Sequence, residues 1–265
     1  MPDFDYIHGV DKSEQHRLTK LNALTNAPFI SFLELRPGLR VLEVGSGLGL
    51  LASQVADAVS PGEVVGLEYS SQQLLHALPM CRERPNLSFV RSDAHDLPFA
   101  DGEFGAVYCR YVLEHLHNPD AAVAEIHRVL KPGGRMFVQE NDTYLTVFDP
   151  DCPAADAVML RFIALQAKLG GDGRIGKRLF GLLKRAGFRD VSLSLQPELH
   201  AYGMPSFVVW VENIISIIAG AADGLISNEL STRKEIDTAV AELQALMLRE
   251  DCSALFHWNR ACGIK

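Results

Sequence analysis

The chain has 265 residues, of which 48% are hydrophobic and 22% charged, a composition typical of a globular protein. Its formal net charge of -8 disfavours nucleic acid as a partner, because proteins that bind a phosphate backbone generally need a basic face. The polar first residues are not a secretion signal, and the longest apolar run (207–222) is interrupted by Glu212 and Asn213 and is short for a membrane span. Five scattered cysteines without a C-x-x-C pair indicate reduced thiols, so we expect a cytoplasmic protein with no membrane contact.

The first half of the chain alternates helices and strands. Helices are predicted over 12–35, 49–59, 70–81 and 119–130, and strands over 40–45, 63–69, 87–94, 104–112 and 135–142. This alternation predicts a doubly wound, Rossmann-like α/β fold with a mostly parallel sheet and helices on both faces. Ligands of such folds bind at the carboxyl ends of the strands, so the residues just after each strand are the informative ones.

The second half of the chain follows a different order. Helices are predicted over 176–188, 205–222 and 228–249, and strands over 189–197 and 254–264. We therefore expect seven strands in one sheet, with a helical cap between the last two. The expected division is a helical N-terminal lid (1–36), a Rossmann-like core (37–197), a helical cap (198–253) and a final strand that returns to the core sheet (254–265).

The segment VLEVGSGLG (41–49) ends a predicted strand in three glycines, Gly45, Gly47 and Gly49. Glycines in such a turn let a ligand approach the backbone, although a tight turn without a ligand is an alternative. A dinucleotide-binding turn has the spacing G-x-G-x-x-G, and Leu50 stands where its third glycine would be. The spacing therefore disfavours NAD.

Carboxylates end the next two predicted strands. Glu68 lies about twenty residues after the glycine turn, where an acid can accept hydrogen bonds from ribose hydroxyls. Asp93 ends the third strand, where a carboxylate can accept from the exocyclic amine of adenine. The simpler explanation for Glu68 is a surface glutamate, and that for Asp93 is a turn cap. Together with the glycine turn, they predict an adenosine pocket.

Four segments carry a family resemblance: VLEVGSGLG, GLEYS, SDAHDLPFADGEFGAVYCRYVLEHL and EIHRVLKPGGRMFV. They resemble the successive motifs of the class I S-adenosylmethionine-dependent methyltransferases, in the small-molecule branch that includes quinone and natural-product enzymes. The resemblance covers about residues 37–142, and LLKRAGFRDV (182–191) also fits. It implies that the chain binds S-adenosylmethionine and releases S-adenosylhomocysteine.

The resemblance also implies a set of residues that hold this cofactor. From the methionine to the adenine end they are Gly45, Ser46, Gly47, Arg110 through its backbone, Glu43 indirectly, Glu68 on the ribose, and Tyr69, Gln73, Asp93 and Ala94 around the adenine. In the lid, Tyr6 and Arg17 are candidates for contact with the cofactor carboxylate. Exposed positions on an amphipathic helix are the alternative for these two.

Methyl transfer needs a general base only when the acceptor has a proton to lose. His115, Glu140 and Asp142 follow the fourth and fifth strands and are candidates, with structural hydrogen bonding or loop polarity as the alternative. Further candidates for substrate contact are Asn141, Tyr144, Arg174, His200 and Tyr202. No residues have the spacing of metal ligands, so we expect no metal.

These observations predict transfer of a methyl group to an oxygen or nitrogen of a small, partly apolar organic molecule, in natural-product biosynthesis. The apolar helix over 205–222 is a candidate wall of the pocket, or else core or a dimer face. The alternatives for function are a protein that binds S-adenosylmethionine without transferring methyl, and an RNA or protein methyltransferase. We expect a small-molecule substrate, no nucleic acid, and a monomer or homodimer.

Overall fold

The computed structural model describes residues 12–142 and 147–265. In these ranges the α-helices are α1 (Lys12–Leu33), α2 (Leu50–Val59), α3 (Ser71–Ala77), α4 (Pro119–Val129), α5 (Pro153–Lys168), α6 (Leu179–Arg185), α7 (Pro205–Gly220), α8 (Ala222–Ser227) and α9 (Arg233–Leu246). Short 3-10 turns occupy Leu78–Arg82, Leu113–His115 and Ile175–Arg178.

The strands form one sheet. They are β1 (Arg40–Val44), β2 (Glu63–Glu68), β3 (Leu87–Arg91), β4 (Phe104–Arg110), β5 (Leu130–Glu140), β6 (Val147–Asp149), β7 (Arg189–Ala201) and β8 (Ser253–Ile264). The first five lie parallel in the order β3-β2-β1-β4-β5, and β8 lies antiparallel to β5, β6 and β7. The fold is the predicted doubly wound, mostly parallel α/β sheet.

The prediction of seven strands was wrong by one, because eight are present in the described ranges. The additional strand is β6, whose three residues pair with Ser253–Leu255 at the start of β8. β5 pairs only with residues 259–264 of β8, so the first part of β8 extends past the end of β5 and β6 pairs with it. A strand of three residues shows no sequence periodicity, which is why the pattern does not indicate it.

The central strands carry the core because they are covered on both faces. In β1 the residues Val41–Val44 are all buried, as expected for a strand with parallel neighbours on each side. Helix α3 begins after Ser70, whose hydroxyl accepts from Gln73 N, and α4 begins after Asn118, whose side chain accepts from Ala121 N. These caps fix where each helix begins after its strand.

A second apolar core lies beneath helices of the second half. Helices α5, α7, α8 and α9 pack together with the inner face of β8. Helix α5 was not predicted; it lies inside the range 37–197 yet packs with the helices of the range 198–253. The expected boundary at 197/198 falls within β7. The helix expected over 205–222 corresponds to α7, which ends at Gly220, and the short helix α8 follows it.

The structure also bears on the cysteines and on the hydropathy of the helices. All five cysteines are free thiols. Among residues 12–142 and 147–265, no helix combines the length and the hydropathy that crossing a membrane requires.

Candidate active site

A cavity of about 520 Å³ opens at the carboxyl ends of the parallel strands. Its walls come from the turns that follow β1, β2, β3 and β4, and Leu18 and Asn22 of α1 close one side. Ten of the twelve predicted cofactor residues line it: Glu43, Gly45, Ser46, Gly47, Glu68, Tyr69, Gln73, Asp93, Ala94 and Arg110. The alternation of strands and helices brings these residues together from four separate turns.

The glycine turn adopts a backbone that requires glycine. Gly45, Gly47 and Gly49 have φ angles of 75°, 51° and 73°, in the left-handed region. A Cβ at Gly45 would collide with Cγ2 of Val112, and one at Gly49 would lie 2.6 Å from Cζ of Phe89. The turn therefore packs closely on its neighbours while its backbone remains open to the cavity.

Glu68 connects the glycine turn to the end of β2. One carboxylate oxygen accepts from Gly47 N at 2.8 Å and the other from Ser70 N at 2.8 Å. Burial raises the pKa of Glu68, and these backbone N–H groups oppose the rise. The carboxylate keeps further lone pairs for hydroxyl donors, so it can hold the turn and accept from a ribose at once.

Asp93 lies against two histidine rings that the sequence did not single out. Its Oδ1 contacts the His95 backbone N at 2.9 Å and His95 Nδ1 at 2.6 Å, and the ring of His95 stacks on that of His117 at 4.5 Å. Partial burial raises the pKa of Asp93, but the hydrogen bonds from His95 outweigh it and the pKa lies below its usual value. Asp93 is thus an ionised acceptor at the adenine end of the predicted site.

Glu43 and Arg110 lie side by side at the other end. Burial raises the pKa of Glu43 to about 8, although Arg110 opposes the rise. The Arg110 guanidinium points to α1, where it donates to Asn22 Oδ1 and Asn26 Oδ1, both at 2.7 Å. Arg110 thus lines the cavity while its side chain anchors α1, and contact with the cofactor through its backbone stays a prediction.

Buried polar atoms without a hydrogen-bond partner in the cavity wall test whether the site can hold S-adenosylmethionine. Within the described ranges, Ser46 Oγ and Gln73 Oε1 are buried without a hydrogen-bond partner. Buried polar atoms of this kind normally have a partner. The cofactor carries an amine, ribose hydroxyls and an adenine amine, which supply donors for these acceptors. The residues that line the cavity therefore fit S-adenosylmethionine.

His115 lies at the cavity wall beyond the methionine end. Burial lowers its pKa, and Arg17 lowers it further, while Glu114 raises it with an oxygen 3.7 Å from Nε2. A neutral imidazole at pH 7 can accept a proton. The role of His115 as a general base stays a prediction.

Other candidate residues do not line this cavity. Glu140 and Asp142 are buried, Asn141 donates to both carboxylate oxygens of Glu114, and Arg174 lies in the loop before the third 3-10 turn. Arg17 forms a buried ion pair with Glu14 and donates to Asn213 Oδ1 at 2.8 Å.

Of the two candidate residues near the cap, one is buried and the other is exposed. His200 is buried against Trp210, with ring centroids 4.9 Å apart, and Nδ1 lies 2.9 Å from Ser206 Oγ. Tyr202 is exposed. Tyr6 and Tyr144 lie outside the described residues. Among those described, no three His, Cys, Asp or Glu side chains are grouped to hold a metal ion.

Several wall residues were missed by the sequence analysis. They are Leu18, Asn22, His95, Tyr111, Val112, Leu116 and His117. Tyr111 and His95 follow strand ends, which was the available signal. Leu18 and Asn22 reach the site only through packing of α1, which no local pattern reveals.

Known proteins resemble this chain in sequence and in fold. Residues 42–138 match the profile of the family described as "Methyltransferase domain". An uncharacterized protein of a Streptomyces fradiae transposon is 35% identical over 186 residues, which cover 69% of this chain and 50% of that protein. A ubiquinone/menaquinone biosynthesis C-methyltransferase of Pseudomonas putida is 33% identical over 141 residues, covering 52% of this chain and 53% of that protein.

The fold also matches the crystal structure of the YcgJ protein of Bacillus subtilis, with a TM-score of 0.61 and 19% identity. That match covers 92% of this chain and 98% of the other. The chain spans about half the length of these two curated relatives.

Residues 42–138 are thus similar to the family described as "Methyltransferase domain", and the fold around them is that of the YcgJ protein. The cavity at the strand ends and these similarities are typical of class I S-adenosylmethionine-dependent methyltransferases.

Proposed function

We propose that the protein transfers a methyl group from S-adenosylmethionine to a small, partly apolar acceptor bound at the cavity wall formed by the turn after β4. The proposal rests on the cavity itself, whose lining includes the glycine turn, Glu68, Asp93 and His115. The bound cofactor supplies an electrophilic methyl. The chain positions it, excludes water and accepts a proton at His115 Nε2 or Nδ1.

The acceptor proposed here is uncharged and partly apolar. Besides the residues assigned to the cofactor, the described wall carries several aliphatic side chains, among them Leu18, Leu48, Leu50, Val112 and Leu116, next to polar and aromatic ones such as Asn22, Tyr111 and His117. Such walls favour an aromatic or aliphatic acceptor over a charged one. A phenolic or amine acceptor gives O- or N-methylation, as the sequence analysis expects.

A ring carbon of a hydroquinone is a second candidate acceptor atom. The Pseudomonas putida relative is a C-methyltransferase of quinone biosynthesis, and the likeness to it supports this candidate. Removal of the hydroxyl proton by His115 would make the ring carbon nucleophilic. In both candidates the histidine has the same role.

Helix α1 is proposed as a lid. Leu18 and Asn22 close one side of the cavity, and Arg17 and Lys20 tie the helix to α7 through Asn213 and Glu212 at 2.8 Å each. The cap over 198–253 stays a proposed domain, with α7 as its contact to α1.

Calorimetric titration with S-adenosylmethionine and, separately, NAD tests the cofactor. We expect binding of S-adenosylmethionine at about micromolar Kd and at least about tenfold weaker binding in Glu68→Ala and Asp93→Ala, since each loses hydrogen bonds to a charged acceptor. Asp223→Ala, whose side chain is 99% exposed in the cap, is the control and should bind as wild type does. Preference for NAD contradicts the proposal.

Transfer is tested with labelled S-adenosylmethionine and three acceptors: a phenol, an aromatic amine and a naphthohydroquinone. Mass spectrometry and NMR of the product identify the atom that is methylated. His115→Gln should retain cofactor binding and lose about 100-fold in turnover with a hydroxyl-bearing acceptor. Binding without turnover for any acceptor would instead support a cofactor-binding protein that transfers no methyl.

A further inference from the structure

The turn that follows β4 forms much of the cavity wall. Residues 111–117, named here the post-β4 turn, contribute Tyr111, Val112, His115, Leu116 and His117 to the lining. Val112 also packs against the glycine turn, where its side chain fills the space that a Cβ of Gly45 would need. The placement of this turn therefore affects both the methionine end and the proposed base.

The backbone of the post-β4 turn begins in a costly conformation. Tyr111 has φ of 60°, which bulky residues adopt rarely and at a cost in free energy. Such a backbone persists only when its surroundings hold it. Tyr111 N donates to Gln139 O at 3.0 Å, which ties the start of the turn to β5.

The next two N–H groups of the turn share one acceptor on β5. Val112 N and Leu113 N donate to Glu140 Oε1 at 3.0 Å and 2.9 Å. His115 N then donates to Val112 O at 3.0 Å, so the position of His115 follows from that of Val112. Glu140 therefore holds the turn at the residue that contacts Gly45.

Glu140 itself does not reach the cavity. Its side chain is fully buried, it is absent from the cavity lining, and Oε2 has no hydrogen-bond partner in the described ranges. A carboxyl group enclosed in this way cannot take a proton from an acceptor in the cavity. This placement separates Glu140 from His115, which lies at the wall.

We propose that Glu140 is a positioning residue whose side chain holds the post-β4 turn, and through it Val112 against Gly45 and His115 at the cavity wall. The inference deepens the proposed function, since it states how the cofactor end and the base are kept in register. The positioning role depends on the acceptor oxygen of the Glu140 side chain and does not require a negative charge.

The charge state of Glu140 makes the inference specific. Burial and the neighbouring Glu114 raise the pKa of Glu140 well above its ordinary value, and the two turn N–H groups only partly oppose the rise. The raised pKa favours the protonated form of this carboxyl group. A glutamine has the same length, a carbonyl acceptor and no charge, so it can replace the protonated carboxyl group.

Glu140→Gln, Glu140→Asp and Glu140→Ala test the inference by two readouts that need no acceptor. The first is the Kd of S-adenosylmethionine by calorimetry, and the second is the pKa of His115 by NMR titration of its ring. Glu140→Gln should stay within about threefold of wild type in Kd and leave the His115 pKa unchanged. Alanine and the shorter aspartate should weaken binding about tenfold, because two buried N–H groups lose their acceptor. In both, the His115 pKa should rise toward its ordinary value as the turn loosens.

Glu198→Gln is the matched control. Glu198 is a largely buried glutamate on β7 whose Oε1 accepts from Trp258 Nε1 at 2.9 Å, outside the cavity lining. It should change neither readout, which separates loss of positioning from loss of a buried carboxyl group. If Glu140→Ala does not fold, the comparison of Glu140→Gln with Glu140→Asp still tests the inference.

The outcomes separate this inference from the proposed function. If Glu140→Gln is as impaired as Glu140→Asp or Glu140→Ala, the charge acts directly and the positioning role is wrong. If all three variants match wild type, the turn does not depend on Glu140 and the inference is also wrong. A wild-type protein that binds no S-adenosylmethionine overturns the proposed function, while the His115 titration still tests the positioning of the turn.

Discussion

Burial sets the protonation state of the carboxylates around the cavity. Glu43 and Glu68 are 4% and 8% exposed, and desolvation is the main reason that the pKa of each is raised. Asp93 is more open, and its hydrogen bonds to His95 hold it ionised. Asp93 is thus held ionised at the adenine end of the predicted site, while Glu43 at the other end has a pKa of about 8, close to neutral pH.

Glu43→Gln should change the pH dependence of stability. The pKa of Glu43 is about 8 in the folded protein against 4.5 ordinarily, so the folded state binds more protons between these values. Stability from this group is full below pH 4.5 and is lost as pH rises through 8. Urea unfolding should show Glu43→Gln gaining on wild type from pH 5 to pH 8, by at most about 5 kcal/mol at about 1.4 kcal/mol per pKa unit.

Glu125→Gln provides a control of the opposite kind. The hydrogen bond from Arg128 lowers the pKa of Glu125, so its contribution is present above pH 4.5 and constant from pH 5 to 8. The difference between Glu125→Gln and wild type should therefore be flat across this range. A flat difference for Glu43→Gln as well would show that Glu43 stays ionised in the folded protein.

The elements that form the site differ in how far the sequence reveals them. The strands β1, β2 and β4 were predicted because each is a short apolar run bounded by turn residues, and their ends carry eight of the predicted cofactor residues that line the cavity. Helix α5 also has apolar residues at helical spacing, from Ala155 through Phe162, so that omission was not forced by the pattern. Strand β6 exists only through pairing with β8, and no local signal marks it.

At the level of one turn, Gly45→Ala should destabilise the protein for two reasons. The left-handed backbone at φ 75° costs about 1–2 kcal/mol for a residue with a Cβ, and the collision with Val112 adds about 1–3 kcal/mol. The free energy of unfolding from urea denaturation measures the sum, and calorimetry should show weaker binding of S-adenosylmethionine.

Gly133→Ala separates these two contributions. Gly133 has φ of 79°, nearly that of Gly45, but nothing lies within 4 Å of the Cβ position. It should lose only the backbone part, about 1–2 kcal/mol, and leave cofactor binding unchanged. Equal losses in both variants would mean that Val112 gives way and does not hold the glycine turn.

Across the whole molecule, a buried polar network runs from the cavity to the edge of the sheet. Tyr111 of the cavity wall accepts from Gln139 Nε2 at 2.6 Å, and Gln139 Oε1 accepts from Arg260 Nε at 2.6 Å. Arg260 also donates to Gln196 Oε1 at 3.0 Å and lies over the ring of Phe32 of α1 at 4.9 Å. The network links β4, β5, β7, β8 and α1.

This network shows why part of the site could not be predicted from the sequence. The residues after each strand are visible locally, because a parallel sheet brings their carboxyl ends to one edge. Tyr111 meets Gln139 through the parallel pairing of β4 with β5, and Arg260, far along the chain, joins them only through the antiparallel pairing of β8 with β5 and β7. Likewise, Glu140 looks like a candidate base until its backbone partners in the post-β4 turn are known.

Arg260→Leu should lower the free energy of unfolding by about 3 kcal/mol, because Gln139 is left as a buried acceptor without a donor and the half-buried Gln196 also loses one. Gln139→Leu should also destabilise the protein, since the Arg260 guanidinium then loses an acceptor. The double variant removes both groups, so its loss should be smaller than the sum of the single losses by about 1–2 kcal/mol. Arg233→Leu, whose side chain is 58% exposed, should stay within about 0.5 kcal/mol of wild type in the same urea titrations. Additive losses in the double variant would show that Arg260 and Gln139 act independently, and that no connected network joins the far strands to the cavity wall.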